Sequence, residues 1–434
     1  AAEAKFDIDV KELPLDDTFV AACSPEQQKT IRALALRGMA DGHCTIHKPA
    51  GEGKAYDIRI EAGVWDGSLA FEHFPWQLDH LRGKVTFDSE SGLWTFKELE
   101  ARHDSAIVLG EGRFSHPVPG DRGLLKLSLS ARRANLDDDL FRALPQNLRG
   151  IWEMVSPAGR VDAEAEIEWI PGSAFTIAFP AARFYGGSLN FEPFPLPLSD
   201  VQAELSYSSG KVSITSFAAK SGASGVRIGK ADVWWDPAGE WWVRLEKLNA
   251  NDINPAPNGA VHRAFGKDSA LRRLIDEMNP QGPLSLGGMM EFHGTTRRPD
   301  VVTAAWDLAF VLSRNSLSIG ADVKNISGKV TARGTVDENG LVRMIDGNRI
   351  ELNHAEVMGF SFSDIHGPYR LNDKQLTVGS PRVFLPQGLQ RQAAPASHKE
   401  SLTARAVDGD LTLDADAVLQ DIPKYRMRIT VSQR

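Results

Sequence analysis

The 434-residue sequence contains only two cysteines, Cys23 and Cys44. One disulfide between them is possible, but a single pair is no disulfide framework and says little about the redox compartment. An excess of basic charge is also missing, because 49 Lys and Arg stand against 57 Asp and Glu, a net charge of −8. A chain without a basic field is not expected to bind nucleic acid as its main partner.

Long apolar runs are absent as well. A membrane-spanning helix needs roughly 18 consecutive apolar residues, whereas runs such as Phe19–Cys23 and Leu308–Leu312 have five. The chain contains no signal-peptide h-region and opens at Ala1 without an initiator Met, and its last residues continue a strand-like pattern. We interpret the chain as a segment of a longer protein, with any signal or membrane anchor outside it.

Motifs of the common enzyme classes are missing too. The sequence has no Gly-x-Ser-x-Gly, no His-Glu-x-x-His and no Walker loop. A carbohydrate-active β enzyme would need two carboxylates in a cleft, and no pair of acids stands out. We therefore predict no catalytic residues, no cofactor and no metal site.

Internal repetition is what the sequence does contain. Gly67–Asp79 and Gly187–Ser199 align without a gap at an offset of 120, with 8 of 13 positions identical. Their shared pattern is Gly-Ser-Leu-x-Phe-Glu-x-Phe-Pro. A fixed period of this kind indicates a repeat architecture.

Short amphipathic helices form a second recurrence, in which apolar residues at helical spacing precede a stop containing Gly. The three sets are Leu148, Ile151, Trp152 and Val155 before Ser156-Pro157-Ala158-Gly159; Leu271, Leu274, Ile275 and Met278 before Asn279-Pro280-Gln281-Gly282; and Ile31, Leu34 and Ala35 before Ala40-Asp41-Gly42. For the last set, Ser24, Pro25 and Gln27 predict an N-cap, a first-turn proline and a capping box.

A third recurrence, apolar-x-x-apolar-x-Gly-x-apolar, starts at Leu78, Val323 and Phe362, and a copy with Ala in place of Gly starts at Leu198. Between these markers apolar and polar residues alternate, which is typical of antiparallel sheet with one apolar face. The fold class predicted is mainly β: a twisted antiparallel sheet with a few short helices. The predicted units are repeats at 1–133, 134–257 and 258–381, a linker at 382–400, and the start of a further repeat at 401–434.

Three polar or aromatic clusters have competing interpretations. His43, Cys44 and His47 could bind a metal, but Cys44 occupies an apolar strand position and both histidines face the other way. Asp137-Asp138-Asp139 could bind a cation, but acids before a helix favour a helix start. The pairs Trp234-Trp235 and Trp241-Trp242 flank a turn, so cross-strand stacking is favoured over an outward aromatic surface for a partner or lipid. We favour the structural interpretation for all three.

Together, the Gly-Ser-Leu-x-Phe-x-x-Phe-Pro element, the Gly-containing element after it and the helix that ends in Pro-x-Gly resemble the AsmA-like superfamily, which includes TamB- and YhdP-type proteins. The resemblance implies an elongated sheet curled into a groove, anchored to the inner membrane by another segment, in the periplasm of a double-membrane bacterium. It also implies a non-enzymatic conduit for phospholipid acyl chains between the two membranes.

Residues expected to line the groove are the apolar members of the alternating strands. They are Tyr56, Ile58, Ile60, Leu69, Phe71, Val161, Ala163, Ile167, Leu189 and Phe191. The expected partner is a phospholipid or another acyl lipid, with membranes reached through regions outside this segment. The alternative is a periplasmic scaffold or assembly factor for outer-membrane proteins that binds envelope proteins through strand edges. The sequence leaves an open groove and a closed sandwich equally possible.

Overall fold

The structure is a computed structural model of the chain. It describes residues 3–51, 54–115, 123–170, 172–173, 176–192, 194–236, 238–267, 269–319, 321–345, 347–372, 375–379, 401–406, 409–418 and 424–433. The predicted linker at 382–400 lies outside the described residues. The predicted boundaries of the repeats stay predictions.

The predicted fold class is confirmed. The protein is mainly β, with 68% strand and 11% helix, and consists of antiparallel sheet with a few short helices. No helix in the described ranges has the length and apolar character needed to cross a membrane. The chain folds into two compact units, Ala1–Gly187 with Glu204–Gly210 (unit 1) and Ser188–Ala203 with Lys211–Arg434 (unit 2).

Unit 1 is built on a meander in which each strand pairs antiparallel with the next, from β1 through β8. Its strands are β1 Ala4–Pro14, β2 Arg37–Lys48, β3 Asp57–Phe71, β4 Phe74–Asp88, β5 Leu93–His103, β6 Ala106–Ser115, β7 Leu124–Asn135 and β8 Ala158–Trp169. The division between the units falls within β9 Thr176–Asn190 and β10 Pro197–Ser208.

Unit 2 continues the same architecture. Its strands are β11 Lys211–Ser221, β12 Ser224–Trp235, β13 Glu240–Ile253, β14 Leu284–Thr295, β15 Arg298–Ser318, β16 Asp322–Val336, β17 Val342–Met344, β18 Arg349–Val357, β19 Phe360–Asn372, β20 Gln375–Val378, β21 Leu402–Ala406, β22 Gly409–Val418 and β23 Lys424–Gln433. Neighbours pair antiparallel from β11 to β16, after which β16 pairs with both β17 and β18.

Helices occur as three pairs between strands. The pairs are α1 Asp17–Ala22 with α2 Pro25–Ala33, α3 Asp138–Ala143 with α4 Gln146–Val155, and α5 Ala260–Ala264 with α6 Ala270–Met278. The predicted helices correspond to α2, α4 and α6, and the capping box of Ser24 and Gln27 is present. The acids at 137–139 begin a helix as predicted, since Asp137 caps α3 by accepting a hydrogen bond from the Leu140 N–H.

Two of the three predicted stop signals of the helices are confirmed and one is wrong. Ser156 and Asn279, each with φ 42°, provide the left-handed residue that ends α4 and α6. Ala40-Asp41-Gly42 does not end a helix, because these residues lie inside β2. Asn and Ser can take the left-handed conformation, so a glycine is not required at these ends.

The glycine of the repeated Gly-Ser-Leu element is required by a close backbone contact. An added Cβ at Gly38 would lie 2.6 Å from the Gly67 Cα, and one at Gly159 would lie 2.7 Å from the Gly187 Cα. Both Gly38 and Gly159 have φ near +140°, a region that residues with a side chain avoid. An added Cβ at Gly187 would itself lie 2.1 Å from the Ala158 carbonyl oxygen, and one at Gly67 would lie 3.0 Å from that of Arg37. Both glycines of the element therefore lie against the backbone of the preceding strand.

The motif apolar-x-x-apolar-x-Gly marks a β-bulge. In its four copies the residue before the second apolar position has positive φ: His80, Asp200, Asn325 and Asp364. The apolar residues that follow are buried, namely Leu81, Val201, Ile326 and Ile365. A bulge bends its strand and increases the local twist, so the motif marks positions where the sheet curls.

Candidate functional site: the apolar face of unit 1

One face of the unit 1 sheet consists of continuous apolar rows that run across the strands. Residues directly opposite one another on paired strands share a face. The first row is Ile8, Cys44, Ile60, Phe87, Trp94, Phe114, Leu125 and Trp169, one residue from each strand from β1 to β8. The second row is Val10, Gly42, Ala62, Val85, Phe96, Gly112, Leu127 and Ile167. We call the surface formed by these two rows and their apolar neighbours the apolar face; neither row contains a charged residue.

A bulge places the predicted residues of β3 on this same face. Strict alternation would put Ile58 and Ile60 on one side of β3 and Leu69 and Phe71 on the other. The register shifts around Asp66, which has φ 49°, and this shift restores the common side. Phe71 accordingly contacts Trp169 of the first row, with ring centroids 5.5 Å apart.

The predicted residues of β8 also belong to the apolar face. Ile167 is part of the second row. Ala163 pairs with Ala131, and Val161 packs against the buried cluster that contains Trp76 and Val108. The structure thus brings Ile58, Ile60, Leu69, Phe71, Val161, Ala163 and Ile167 together on one surface.

Three predicted residues lie elsewhere. Tyr56 precedes β3, is 51% exposed, and has the Lys48 ammonium 5.7 Å from its ring centroid. Leu189 and Phe191 belong to unit 2, in which Phe191 makes an edge contact with Trp241 at 6.2 Å. The alternation that predicts Tyr56 extends beyond β3, which begins one residue later, at Asp57.

The largest aromatic residues of the face were missed by the sequence analysis. Phe87 stacks on Trp94 with centroids 4.5 Å apart, and Phe114 is the next member of the row. The sequence does contain a signal that Phe87 lies on an apolar strand face, since Val85 and Phe87 alternate with Thr86 and Asp88. Which strand lies beside which becomes evident only from the pairing.

The opposite face of the same strands is polar. Its matching row is Asp9, His43, Glu61, Thr86, Thr95, Arg113, Lys126 and Glu168. His43 Nδ1 lies 2.9 Å from Asp9 Oδ1, and Lys126 forms an ion pair with Glu168. On this face, a hydrogen bond from the Thr45 hydroxyl lowers the pKa of Asp7 below its usual value of 3.8. Polar groups are therefore confined to one side, which leaves the apolar face free of charge.

Cys44, His43 and His47 are arranged as predicted. Cys44 lies in the first apolar row, whereas His43 and His47 contact Asp9 and Glu3 on the polar side. Cys23 and Cys44 are both free thiols. Burial raises the pKa of the Cys23 thiol, which favours the neutral form.

The tryptophan hairpin shows the predicted cross-strand stacking. Trp234 and Trp242 stack with an interplanar angle of 11°, and His293 stacks on the other side of Trp242. Trp241 is buried among other residues of unit 2. The two indole pairs thus contribute to both sides of the sheet.

Helix α3 covers part of the apolar face. Ala143 of α3 is buried against Trp76 of β4, Val108 of β6 and Ala134 of β7, with Leu140 beside them. The first and second rows lie away from this cluster, and most of their members are only half-buried. Exposure is highest at β1, where Phe6 is 56% and Ile8 43% exposed.

Large side chains on the face lie over glycines of the neighbouring strand. An added Cβ at Gly110 would come within 2.4 Å of the Leu129 side chain, and one at Gly112 within 2.4 Å of Leu127. An added Cβ at Gly83 would lie 2.6 Å from the Leu99 side chain. These leucines therefore lie flat on the sheet, which keeps the lining thin above it.

The apolar side of unit 2 also contains buried clusters, as that of unit 1 does around Trp76. Trp306, Leu308, Ala332 and Val342 form one buried cluster, and Ile326, Ala355, Ile365 and Leu402 another. In the part of the chain that the structure describes, Val201 is the largest apolar side chain with less than 2% exposure. A dry interior normally encloses larger residues that completely.

Comparisons with protein-family models, curated proteins and solved structures give no match.

Proposed function

We propose that this chain is a segment of a non-enzymatic lipid conduit in a bacterial envelope, of the kind the AsmA-like resemblance implies. The observation that supports this proposal best is the apolar face of unit 1, with two uncharged rows across eight strands that other side chains cover only partly. In this proposal lipid acyl chains complete the cover.

The dimensions suit an acyl chain. Eight strands about 4.8 Å apart give a row of roughly 34 Å, whereas one leaflet accounts for about half of the roughly 30 Å hydrocarbon core of a bilayer. One acyl chain therefore fits along a row with room to move.

The energetics favour sliding over specific binding. Each CH₂ withdrawn from water contributes about 0.8 kcal/mol, and the second row, which has no charged or hydrogen-bonding side chain, offers an acyl chain no preferred anchoring point. A chain can then shift along the row without losing burial. Such transfer needs no catalytic group, and the absence of an enzymatic activity remains a prediction.

A scaffold that binds envelope proteins is the second candidate. It is favoured by β1, whose apolar residues Phe6 and Ile8 are the most exposed of the face. A partner strand could pair with the edge of such a sheet and cover these side chains. A photo-crosslinker at Phe6 that yields protein adducts, with no lipid adducts at Phe87, would support this alternative.

Lipid crosslinking tests the conduit. With a photo-crosslinker at Phe87, we expect lipid adducts in envelope preparations and an approximately tenfold loss of adducts in Ile60→Asp. The reason is that a carboxylate opposite Phe87 must lose water when a hydrocarbon chain covers it, and a tenfold change needs only about 1.4 kcal/mol.

Leu109→Asp is the matched control. Leu109 is 45% exposed and lies on the polar side of β6, so its replacement should leave the adducts unchanged. Circular dichroism should show intact β structure in both variants. Equal adduct yields from the wild type and Ile60→Asp would contradict the proposal.

A further inference from the structure

A histidine and two aspartates converge where β5 ends and α3 begins. His103 is the last residue of β5, Asp104 follows in the turn to β6, and Asp137 caps α3. One ligand atom from each of the three lies within 4.8 Å of the others. Sequence spacing could not predict this group, because 33 residues separate Asp104 from Asp137.

The tautomer of His103 follows from its hydrogen bond. Nδ1 lies 2.7 Å from the Gln77 carbonyl oxygen, which can only accept, so Nδ1 carries the proton. In the neutral ring, Nε2 then has a free lone pair. This atom is buried and has no hydrogen-bond partner.

The ring of His103 is held in place by its surroundings. It stacks on the Trp76 indole with centroids 4.6 Å apart, and its side chain is only 13% exposed. A histidine whose Nδ1–H is bound to a carbonyl and whose Nε2 is free has the arrangement of a metal ligand. The unpartnered Nε2 indicates that the site is built for a ligand beyond these protein groups.

Both carboxylates can supply oxygen atoms to the same point. Asp137 uses Oδ1 for the Leu140 N–H at 3.0 Å, and its second oxygen is a possible ligand. Asp104 Oδ2 lies 4.0 Å from His103 Nε2, too far for a hydrogen bond, and its side chain is 72% exposed. Ligand atoms around Zn²⁺ are roughly 3.4 Å apart when they lie about 2.1 Å from the metal. The three atoms, which lie within 4.8 Å of one another, must therefore move closer together on binding, and the exposed Asp104 side chain can rotate.

We infer that His103, Asp104 and Asp137 bind a divalent transition-metal ion, with Zn²⁺ as the best fit to one imidazole and two carboxylates. Water completes the coordination on the exposed side of Asp104. The bound ion ties the β5–β6 turn to the start of α3, the helix that covers part of the apolar face. Metal binding thereby stabilises the helix over the lipid-facing surface.

The test is Zn²⁺ titration of the full chain by isothermal calorimetry, with Co²⁺ absorption spectra to report nitrogen and oxygen ligation. We expect one site per chain, and a loss of affinity of at least about tenfold in Asp104→Asn and in His103→Gln. Asp104 has a 72% exposed side chain, so Asp104→Asn tests ligation with little disturbance of the fold. Asp138→Asn, in the same acidic run but outside the cluster, is the matched control and should bind normally.

Surface histidines could also bind Zn²⁺, above all His43 beside Asp7 and Asp9. His43→Gln separates the two sites: the inference requires that the tight site survive this change. It is overturned if Asp104→Asn binds Zn²⁺ as well as the wild type, if His43→Gln removes the only site, or if the wild type binds none. Because lipid is absent from the assay, a failure here does not bear on the proposed conduit.

Discussion

At the scale of single residues, the sequence contained a signal for the β-bulges. The residues at the bulge positions are His80, Asp200, Asn325 and Asp364. All four have positive φ, and Asn, Asp and His are the side-chain-bearing residues that tolerate this region best. The repeated motif was recognised from its apolar and glycine positions, while the residue that makes the bulge was treated as variable. In all four copies the residue at the bulge is His, Asp or Asn, and this shared chemical type would have indicated the bulge.

Glycine pairs provide a residue-scale prediction. Gly38→Ala should lower the free energy of unfolding by about 3 kcal/mol, because the new Cβ would lie 2.6 Å from the Gly67 Cα on a backbone with φ 138°. Urea denaturation followed by circular dichroism measures the loss.

The control is Gly63→Ala on the neighbouring strand β3. No atom lies within 4 Å of the Cβ added there, so stability should change by less than about 0.5 kcal/mol. If both alanine variants were equally stable, the close contact would not explain the repeated Gly-Ser-Leu element.

At the scale of elements, the three longer helices and α3 were predictable, whereas α1 and α5 were not. The apolar spacing predicted α2, α4 and α6, of nine or ten residues each. In contrast, α1 and α5 have six and five residues, too few to show a helical period. Asp16 before α1 was nevertheless a readable N-cap, matching Asp137 before α3.

The cap of α1 predicts a dependence on pH. The Phe19 N–H donates to the Asp16 carboxylate and holds the pKa of Asp16 below its usual value of 3.8. The folded state thus favours the charged form, so the cap stabilises α1 above the unfolded pKa and is lost as the pH falls through the folded pKa.

A carboxyl NMR titration measures this pKa directly and should place it below 3.8 for Asp16. In Asp16→Asn, the amide oxygen still accepts the hydrogen bond but does not titrate, so the acid-induced change in the α1 amide signals should disappear. A midpoint at or above 3.8 for Asp16 would contradict the assignment of the cap.

For the whole molecule, strand alternation predicted the fold class, and seven of the eight candidate residues that it gave for unit 1 share one face of the sheet. It could not show that Ile60, Phe87 and Trp94 are neighbours, because pairing depends on register and every bulge reverses the alternation. The metal-ligand group was equally hidden, since His103 and Asp137 meet only through the fold. Distant pairings are set by tertiary packing, which a local pattern does not record.

The choice between an open groove and a closed sandwich also belongs to this scale. In unit 1, most members of the two apolar rows are only half-buried. The lipid proposal depends on acyl chains, rather than further side chains of the protein, covering these rows.

Native mass spectrometry of the chain, purified without detergent from a double-membrane bacterium, tests the central claim most directly. We predict a wild-type population that carries at least one diacyl lipid per chain, and a population depleted about tenfold in Ile60→Asp but not in Leu109→Asp. A folded wild-type chain that remains lipid-free, even after incubation with phospholipid vesicles, would contradict the account.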